Sequence, residues 1–304
     1  MSIHDAMKDA CAAVGIQPPR KTMPGRWIAS PVVGKSPANT SGRVLIHDDG
    51  QGGIAWNWAT GQQQSFRVGQ EAGKSAPRRE RDQDAERRAE AERQEVENIA
   101  AAIVRGCQQA AHPYFARKGF PDELGLVVDD PRAMMPDTPL GRRLAAAVPE
   151  AEGPMLIVPG RIGRTITTVQ FITPDGVKKN ILGGRMGGAA HRIATGRETW
   201  VCEGIATALS VRAALRLLGR SATVLSAFSA SNVAKVASSI PGAIIGADND
   251  RPVDAFDGLG TGEFYARKAG GPWVQPPALG DWNDHHAAEG LRSVALLLRE
   301  VKPP

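Results

Sequence analysis

Three acidic residues stand directly after apolar runs that are typical of buried strands. Glu203 follows the run 199–202, and Asp248 and Asp250 follow a second run about 45 residues later. Side chains alternate along a strand, so Asp248 and Asp250 face the same way while Asn249 turns aside. In open α/β sheets, sites form beyond the carboxyl ends of strands. We therefore expect these carboxylates to meet at one edge, where they would repel one another unless a cation lay between them.

Hard oxygen ligands of this kind suit Mg²⁺ or Mn²⁺ better than zinc. A later segment, Asp281-Trp282-Asn283-Asp284, can add acid to the same edge. The predicted metal ligands are therefore Glu203, Asp248, Asp250, Asp281 and Asp284. The alternative is that these carboxylates lie in water and cap the helices that follow, which is the usual role of a lone acid at a strand end. The joint pattern of two acidic strand ends favours the metal.

The elements that must position these acids alternate in type. Apolar runs at 199–202, 223–225 and 243–246 are each followed by a stretch with helical spacing. Strand alternating with helix predicts βαβ units around a parallel sheet. The region from 109 to 196 instead has strand-like segments and tight turns, which predict an antiparallel sheet carrying basic residues on one face.

The N-terminal part predicts a short helix capped by Ser2 and then a β-hairpin around the glycine-rich turn 49–53. Trp56 and Trp58 lie on one face of the second hairpin strand, and Trp27 can join them. We expect these tryptophans to form the core of a small β module, because large aromatics dominate such cores. Stacking on the bases of a single strand is the alternative.

Four parts follow from these shifts in composition. The fold class is α/β, or α+β for the chain as a whole. The predicted parts are 1–75, a helix with a small β-hairpin module; 76–108, a charged helical linker that begins in a small-residue stretch; 109–196, a basic β-rich part; and 197–304, the part with the parallel sheet.

The net charge is +5, from 37 basic and 32 acidic residues. Residues 156–198 hold seven basic and two acidic side chains, so the net charge of this segment equals the net charge of the whole chain. A concentrated basic surface is what a polyanionic partner requires. A solvated basic face without a partner is the alternative.

Several classes are excluded or disfavoured by the sequence. No apolar stretch is long enough to span a membrane, and residues 1–5 do not resemble a secretory signal. Three widely separated cysteines predict neither disulfides nor a zinc site, so we expect a cytoplasmic location. The segment 29–36 fits a relaxed phosphate-loop pattern, but Pro31 and Pro37 bracket it and disfavour the strand and helix that such a loop needs.

The motif Val201-Cys202-Glu203-Gly204, followed by Asp248-Asn249-Asp250, resembles the Toprim fold of bacterial-type primases, topoisomerases and some nucleases. Asp281-Trp282-Asn283-Asp284 resembles the acidic stretch near the end of this domain in phage and plasmid primases. The segments 112–119 and 175–178 are similar to the region that precedes it. The resemblance covers roughly residues 110–290. It implies a Toprim catalytic domain at 197–304 and a basic primase-core subdomain at 109–196.

The resemblance also implies roles for single residues. Glu203 would be a general base or metal ligand, and Asp248 and Asp250 would hold divalent metals. Basic residues would line the template or nucleotide channel, with the tryptophans as further contacts: Lys118, Arg161, Arg164, Lys178, Lys179, Arg185, Trp56 and Trp58. The zinc ribbon of bacterial primases has no counterpart here, because no clustered cysteines and histidines occur.

The leading hypothesis is therefore a DNA primase that makes short RNA primers with Mg²⁺ or Mn²⁺ and without zinc. Its partners would be a single-stranded DNA template, ribonucleoside triphosphates and a replicative helicase on a separate chain, with no membrane. Two alternatives stay open: a Toprim nuclease, which uses the same acids with water as nucleophile, and a non-catalytic single-strand-binding accessory protein. A topoisomerase is disfavoured, since Tyr114 and Tyr265 are the only tyrosines and it needs a catalytic tyrosine on a separate domain.

Overall fold

The computed structural model describes residues 2–34, 39–68 and 83–301. Two sequence predictions therefore lie outside the described residues: the end of the phosphate-loop-like segment at Lys35 and Ser36, and the small-residue linker at 69–77. No described helix is both long enough and apolar enough to cross a membrane.

Unit 1 comprises Met1–Glu80 with Val253–Gly258 and contains a helix packed on a sheet. The helix begins at Ser2, whose side chain accepts from the backbone N–H of Asp5 in a capping box. The sheet is antiparallel with its strands in sequential order. The elements are α1 (Ile3–Ala13), β1 (Trp27–Ser30), β2 (Gly42–Ile46), β3 (Gly52–Asn57) and β4 (Gln62–Arg67). The predicted helix and hairpin are confirmed.

The tryptophans do not form the core of this unit, so that prediction is wrong. Helix α1 packs on one face of the sheet, and the core contains residues such as Met7, Val44 and Phe66. The alternation along β3 places Trp56 on the opposite face, where Trp58 is 52% exposed. Helix α1 therefore covers the face that the tryptophans do not occupy.

Unit 2 comprises Arg81–Pro252 with Leu259–Pro304 and contains two five-stranded sheets. The first sheet is antiparallel, as predicted, with its strands in sequential order. Its strands are β5 (Gln108–Ala111), β6 (Leu124–Val128), β7 (Met155–Ile162), β8 (Thr165–Ile172) and β9 (Lys178–Asn180). The helices before and within it are α2 (Gln83–Gly106), α3 (Pro113–Arg117), the 3-10 helix Pro131–Met134 and α4 (Pro139–Ala147).

The second sheet has the order β10-β12-β11-β13-β14. Its strands are β10 (His191–Ala194), β11 (Glu198–Cys202), β12 (Ala222–Ser226), β13 (Ile244–Gly246) and β14 (Trp273–Val274). The helices are α5 (Ile205–Leu217), α6 (Ala230–Ser238), α7 (Thr261–Ala269), α8 (Trp282–Glu289) and α9 (Leu291–Arg299). The 3-10 helix Asp254–Phe256, which precedes α7 in the chain, belongs to unit 1. Strands β11, β12 and β13 run parallel, as predicted. The parallel part also includes β14, which was not predicted, and β10 adds an antiparallel edge.

Helix α2 is not a solvated connector along its whole length. Its C-terminal half packs on the antiparallel sheet through Val96, Ile99, Ala100 and Ile103, which are buried together. These four positions recur at the spacing of one helix face. Most of its charged residues belong to the N-terminal half, and the buried Glu97 of the C-terminal half pairs with Arg185. The helix is therefore a structural part of unit 2.

We expect Ile103→Ala to lower the free energy of unfolding by about 2–5 kcal/mol, because Ile103 is fully buried and its truncation leaves a cavity. Asn98→Ala, at an exposed position of the same helix, should change it by less than about 0.5 kcal/mol. Chemical unfolding of both variants would measure the difference. Equal, small effects would mean that the helix does not belong to the core.

The two sheets of unit 2 share a core. Tyr114 and Phe115 of α3 pack with Leu156 of β7 and with Ile205 and Leu209 of α5. A partly buried ion pair supports this packing, since Arg212 Nη1 of α5 donates to Glu123 Oε1 at 2.9 Å. The predicted boundary between 196 and 197 therefore lies within one packed unit.

Candidate active site

The acidic edge is built by the parallel pairing of β11 with β13. Cys202 lies opposite Gly246 in the register, so Glu203 and Asp248 follow the ends of two neighbouring strands. Asp250 is held by the start of α7, where the backbone N–H of Gly262 donates to Asp250 Oδ2 at 2.8 Å. A Cβ at residue 262 would lie 2.2 Å from the Asp248 carbonyl oxygen, so only glycine allows this approach.

Asn249 turns aside, as the strand alternation predicts, and brings a later segment to the edge. Its backbone N–H and carbonyl pair with those of Gly280 at 2.9 Å each, and its side chain donates to the Pro276 carbonyl. This pairing places Asp281 beside the strand end. Three chain segments therefore deliver carboxylates to one edge.

The carboxyl groups of Glu203 and Asp248 have raised pKa values. Burial is the largest cause that raises the pKa of Glu203 from 4.5 to about 7, and the charge of Asp250 adds to it. Burial, and then the charge of Glu203, raise the pKa of Asp248 well above its ordinary value. Asp281 acts on both residues in the same direction. These carboxylates disfavour one another's ionised form, as expected when like charges share a poorly solvated site.

One atom of the cluster lacks a partner. Asp248 Oδ1 is buried and accepts no hydrogen bond from any described residue. An unsatisfied buried carboxylate oxygen is costly, since a buried charge normally needs a partner. A cation bound at this oxygen would supply that partner and would relieve the repulsion from Glu203.

A divalent cation fits the donor chemistry of this edge, although the ligands are not gathered round one point. Among the described residues, no group of three His, Cys, Asp or Glu side chains is arranged closely enough to hold an ion. Mg²⁺ is usually bound through only one or two carboxylates, with water and substrate phosphates as its other ligands. Asp248 with one neighbour would satisfy that requirement.

The two aspartates of the 281–284 motif differ in position. Asp281 is the N-cap of α8, and its Oδ1 accepts from the backbone N–H of Asn283 and Asp284 at 2.7 and 2.8 Å. Asp284 completes a capping box, its side chain is 58% exposed, and its Oδ1 lies 4.0 Å from Lys118 Nζ. Both carboxylates therefore cap the helix, and Asp281 is the one that also acts on Glu203 and Asp248.

Lys178 reaches the acidic edge from the antiparallel sheet. Its Nζ lies 3.8 Å from the point where a Cβ of Gly204 would be, and 5.4 Å from the ring centroid of Tyr114. Its ammonium group acts against the burial and repulsion described above, because it lowers the pKa of both Glu203 and Asp248. Of the predicted basic residues, Lys178 is thus brought directly to the carboxylates.

Lys179 lies on the other face of the sheet, contrary to the prediction that it lines the same channel. It stands opposite Phe171, which packs toward α2, whereas Lys178 stands opposite Ile172, which packs toward α5. Adjacent residues of a strand point to opposite faces, and this separates the two lysines.

Arg185 is also directed away from the predicted channel. Its Nη2 lies 2.8 Å from Glu97 Oε1 of α2, so this arginine pairs with the helix rather than with the acidic edge. Arg161 lies at the end of β7 with its backbone paired to Ala190, and burial and then the charge of Arg192 lower the pKa of its guanidinium. Arg164 is exposed in the turn that leads to β8.

Lys118 lies near the acidic motif, since its carbonyl accepts from Asn283 Nδ2 at 2.8 Å. Trp56 and Trp58 belong to unit 1.

Sequence reasoning missed Asn283 and Phe228. Asn283 is buried and also donates to Ser210 Oγ at 3.1 Å, which ties α8 to α5. Phe228 has φ 71°, rare for a non-glycine residue, and its N–H donates to the Glu203 carbonyl at 2.8 Å. Asn283 lies within the 281–284 motif, which was a signal, whereas no sequence pattern marks Phe228.

We expect Lys178→Met to move the titration of Glu203 to higher pH, because it removes the cation that favours the ionised carboxylate. Lys179→Met is the matched control and should leave the titration unchanged, since that side chain lies on the other face. NMR of a carbon-labelled Glu203 carboxyl would follow the titration. Equal shifts in both variants would contradict the assigned faces.

No family model matches the chain. Several chains of solved structures align with part of it, among them the following two. The primase fragment of the bacteriophage T7 primase-helicase protein aligns with a TM-score of 0.35 and 16% identity over 48% of this chain. This chain covers 63% of that fragment, less than two thirds of its length. A complex of the T7 lagging-strand DNA polymerase with the primase domains of two gp4 subunits, an RNA/DNA hybrid and dTTP aligns with a TM-score of 0.36 and 16% identity, over 50% of this chain and 80% of the matched one.

Proposed function

We propose that this chain is a metal-dependent nucleotidyltransferase of the Toprim primase type, which makes short RNA primers on single-stranded DNA without a zinc ribbon. Ribonucleoside triphosphates would be its substrates, and a replicative helicase would be a separate chain. The observation that carries the proposal is the unpartnered, buried Asp248 Oδ1 beside the strained carboxyl of Glu203.

Asp248 and Asp250 are the proposed ligands of Mg²⁺ or Mn²⁺, with Asp281 close enough to contribute charge. When bound, the cation would stabilise negative charge on the nucleotide phosphates and on the attacking and leaving oxygens. The protein's own part is to hold these carboxylates on three segments of one sheet edge. Lys178 brings a fixed positive charge to the same place, where a phosphate oxygen can pair with it.

Glu203 is the proposed base. In primer extension, the 3′-oxygen bonds to the α-phosphorus of the nucleotide, pyrophosphate departs, and the hydroxyl proton must leave. A carboxylate held at this edge can accept that proton. In the metal-free protein, burial and the charge of Asp250 raise the pKa of Glu203 to about 7. The backbone of Glu203 is fixed for this role, because its carbonyl accepts from Phe228 N–H and from Ser226 Oγ.

Incubation with single-stranded templates, labelled ribonucleotides and Mg²⁺ or Mn²⁺ tests this function. Template-dependent short products are expected from the wild type and should be absent with Asp250→Asn, which keeps an oxygen for the Gly262 N–H. An end label on the template reports cleavage in the same tubes. Cleavage without synthesis would establish a nuclease instead. Neither reaction, with a helicase added and the template bound, would favour the accessory protein.

A further inference from the structure

The sheet face of unit 1 that lies opposite α1 carries an aromatic surface. Directly paired residues share a face of a sheet, and Trp56 pairs with Arg43 and Gln63, while Leu45 pairs with Trp27 and Ile54. The outer face, as we call it, contains Trp27, Ala29, Arg43, Leu45, Ile54, Trp56, Trp58, Gln63 and Ser65. None of these nine residues is acidic.

The three tryptophans form a connected but open cluster. The ring centroids of Trp27 and Trp56 are 6.1 Å apart with planes tilted by 58°, and those of Trp56 and Trp58 are 5.8 Å apart at 80°. Tilted rings do not cover one another's faces as parallel stacked rings would. Trp27 remains 44% exposed and Trp58 52% exposed. Large exposed aromatics gathered in one patch are typical of a binding surface.

A fixed cation accompanies the rings. The Arg43 guanidinium lies 4.2 Å from the ring centroid of Trp58. Its Nη1 donates to the carbonyls of Thr40 and Gly42, which hold the side chain in place. Indole faces with a guanidinium beside them match a ligand that has both flat rings and negative charge. The acids of α1, Asp5 and Asp9, belong to the helix that covers the other face.

We infer that the outer face is a stacking platform for the bases of a single-stranded nucleic acid. Bases within a duplex cover one another at about 3.4 Å, so only an unpaired strand exposes base faces to these rings. Every base has such a face, so the platform binds without reading sequence. It requires no zinc, and it does not depend on which reaction the acidic edge catalyses.

The test uses the full chain and fluorescence anisotropy with labelled oligo-dT. Trp58→Leu keeps an apolar side chain but removes the aromatic face, and we expect it to weaken binding about 5- to 150-fold. Trp58→Phe keeps a ring and should lose less. Met23→Ala is the matched control, since Met23 of the same unit is also 52% exposed but is not on the outer face. Melting curves confirm that each variant folds.

Salt and duplex separate this surface from the basic segments of unit 2. Phosphate contacts weaken steeply with salt. The ratio of the dissociation constants of Trp58→Leu and the wild type for oligo-dT should instead persist at raised salt. For a duplex of matched length, Trp58→Leu and the wild type should have the same dissociation constant. The inference is overturned if Trp58→Leu and Trp27→Leu bind oligo-dT like the wild type, or if Phe and Leu replacements lose affinity equally. Asp248→Asn should retain this binding, so a failure of the catalytic proposal would be seen separately.

Discussion

Asp248→Asn is expected to abolish primer synthesis and, at the same time, to stabilise the metal-free protein. The loss of activity should be at least about 100-fold, which is the usual scale when a group that stabilises transition-state charge is removed. The gain in stability has a separate cause. Burial and the charge of Glu203 raise the pKa of Asp248, so its ionised form destabilises the fold at neutral pH. Asparagine has nearly the same size and carries no charge.

Thermal melting in EDTA and in Mg²⁺ checks both parts. Without metal, the variant should melt above the wild type at pH 8. With Mg²⁺, the wild type should gain more in melting temperature than the variant does, because a ligand bound only to the folded state stabilises it. Asp122→Asn, at an exposed position of unit 2, should change neither value. If Asp248→Asn melted lower without metal, then this carboxylate would be a satisfied structural group and the cation site would lose its main support.

The metal-free wild type should lose stability as the pH rises from about 4.5 to about 7. The folded pKa of Glu203 is raised to about 7 from the ordinary 4.5, so the folded state binds more protons than the unfolded state in this window. The free energy of unfolding therefore falls with rising pH. The shift corresponds to about 3 kcal/mol from Glu203. Asp248, whose pKa is also raised, contributes in the same direction.

Urea unfolding in EDTA at pH 4.5 and at pH 8 would measure this slope. Glu203→Gln should remove about 3 kcal/mol of the difference between the two pH values, because glutamine does not titrate. Glu289→Gln, at the exposed end of α8, should keep the wild-type slope. A wild type that is equally stable at both pH values would show that Glu203 is not strained by its neighbours.

The acidic edge was predictable because strand periodicity and parallel pairing leave little freedom. Once 199–202 and 243–246 are parallel neighbours, Glu203 and Asp248 must follow adjacent strand ends, and Asn249 points away from Asp248. The contribution of Asp281 could be suspected from its motif, but its cause is the pairing of Asn249 with Gly280. That contact joins residues distant in sequence, and local patterns do not specify it.

The errors concern which face of an element is covered. Alternation groups Trp56 with Trp58, but it does not say that α1 packs on the opposite face. The sequence also does not tell which of Lys178 and Lys179 lies on the face of the acidic edge. Only the pairing with Ile172 and Phe171 in the sheet determines this. In α2 the signal was present, because Val96, Ile99, Ala100 and Ile103 follow helical spacing, but the many charges of its first half dominated the composition.

The core shared by α3 and α5 limits how this chain could be divided by truncation or by recombination of genes. A chain beginning near residue 197 would expose Ile205 and Leu209 to water. It would also leave Arg212 without Glu123, its ion-pair partner. The shortest segment of the chain in which the acidic edge stays folded therefore includes the antiparallel sheet. Exchange of gene segments with other proteins would preserve the two sheets as a single block.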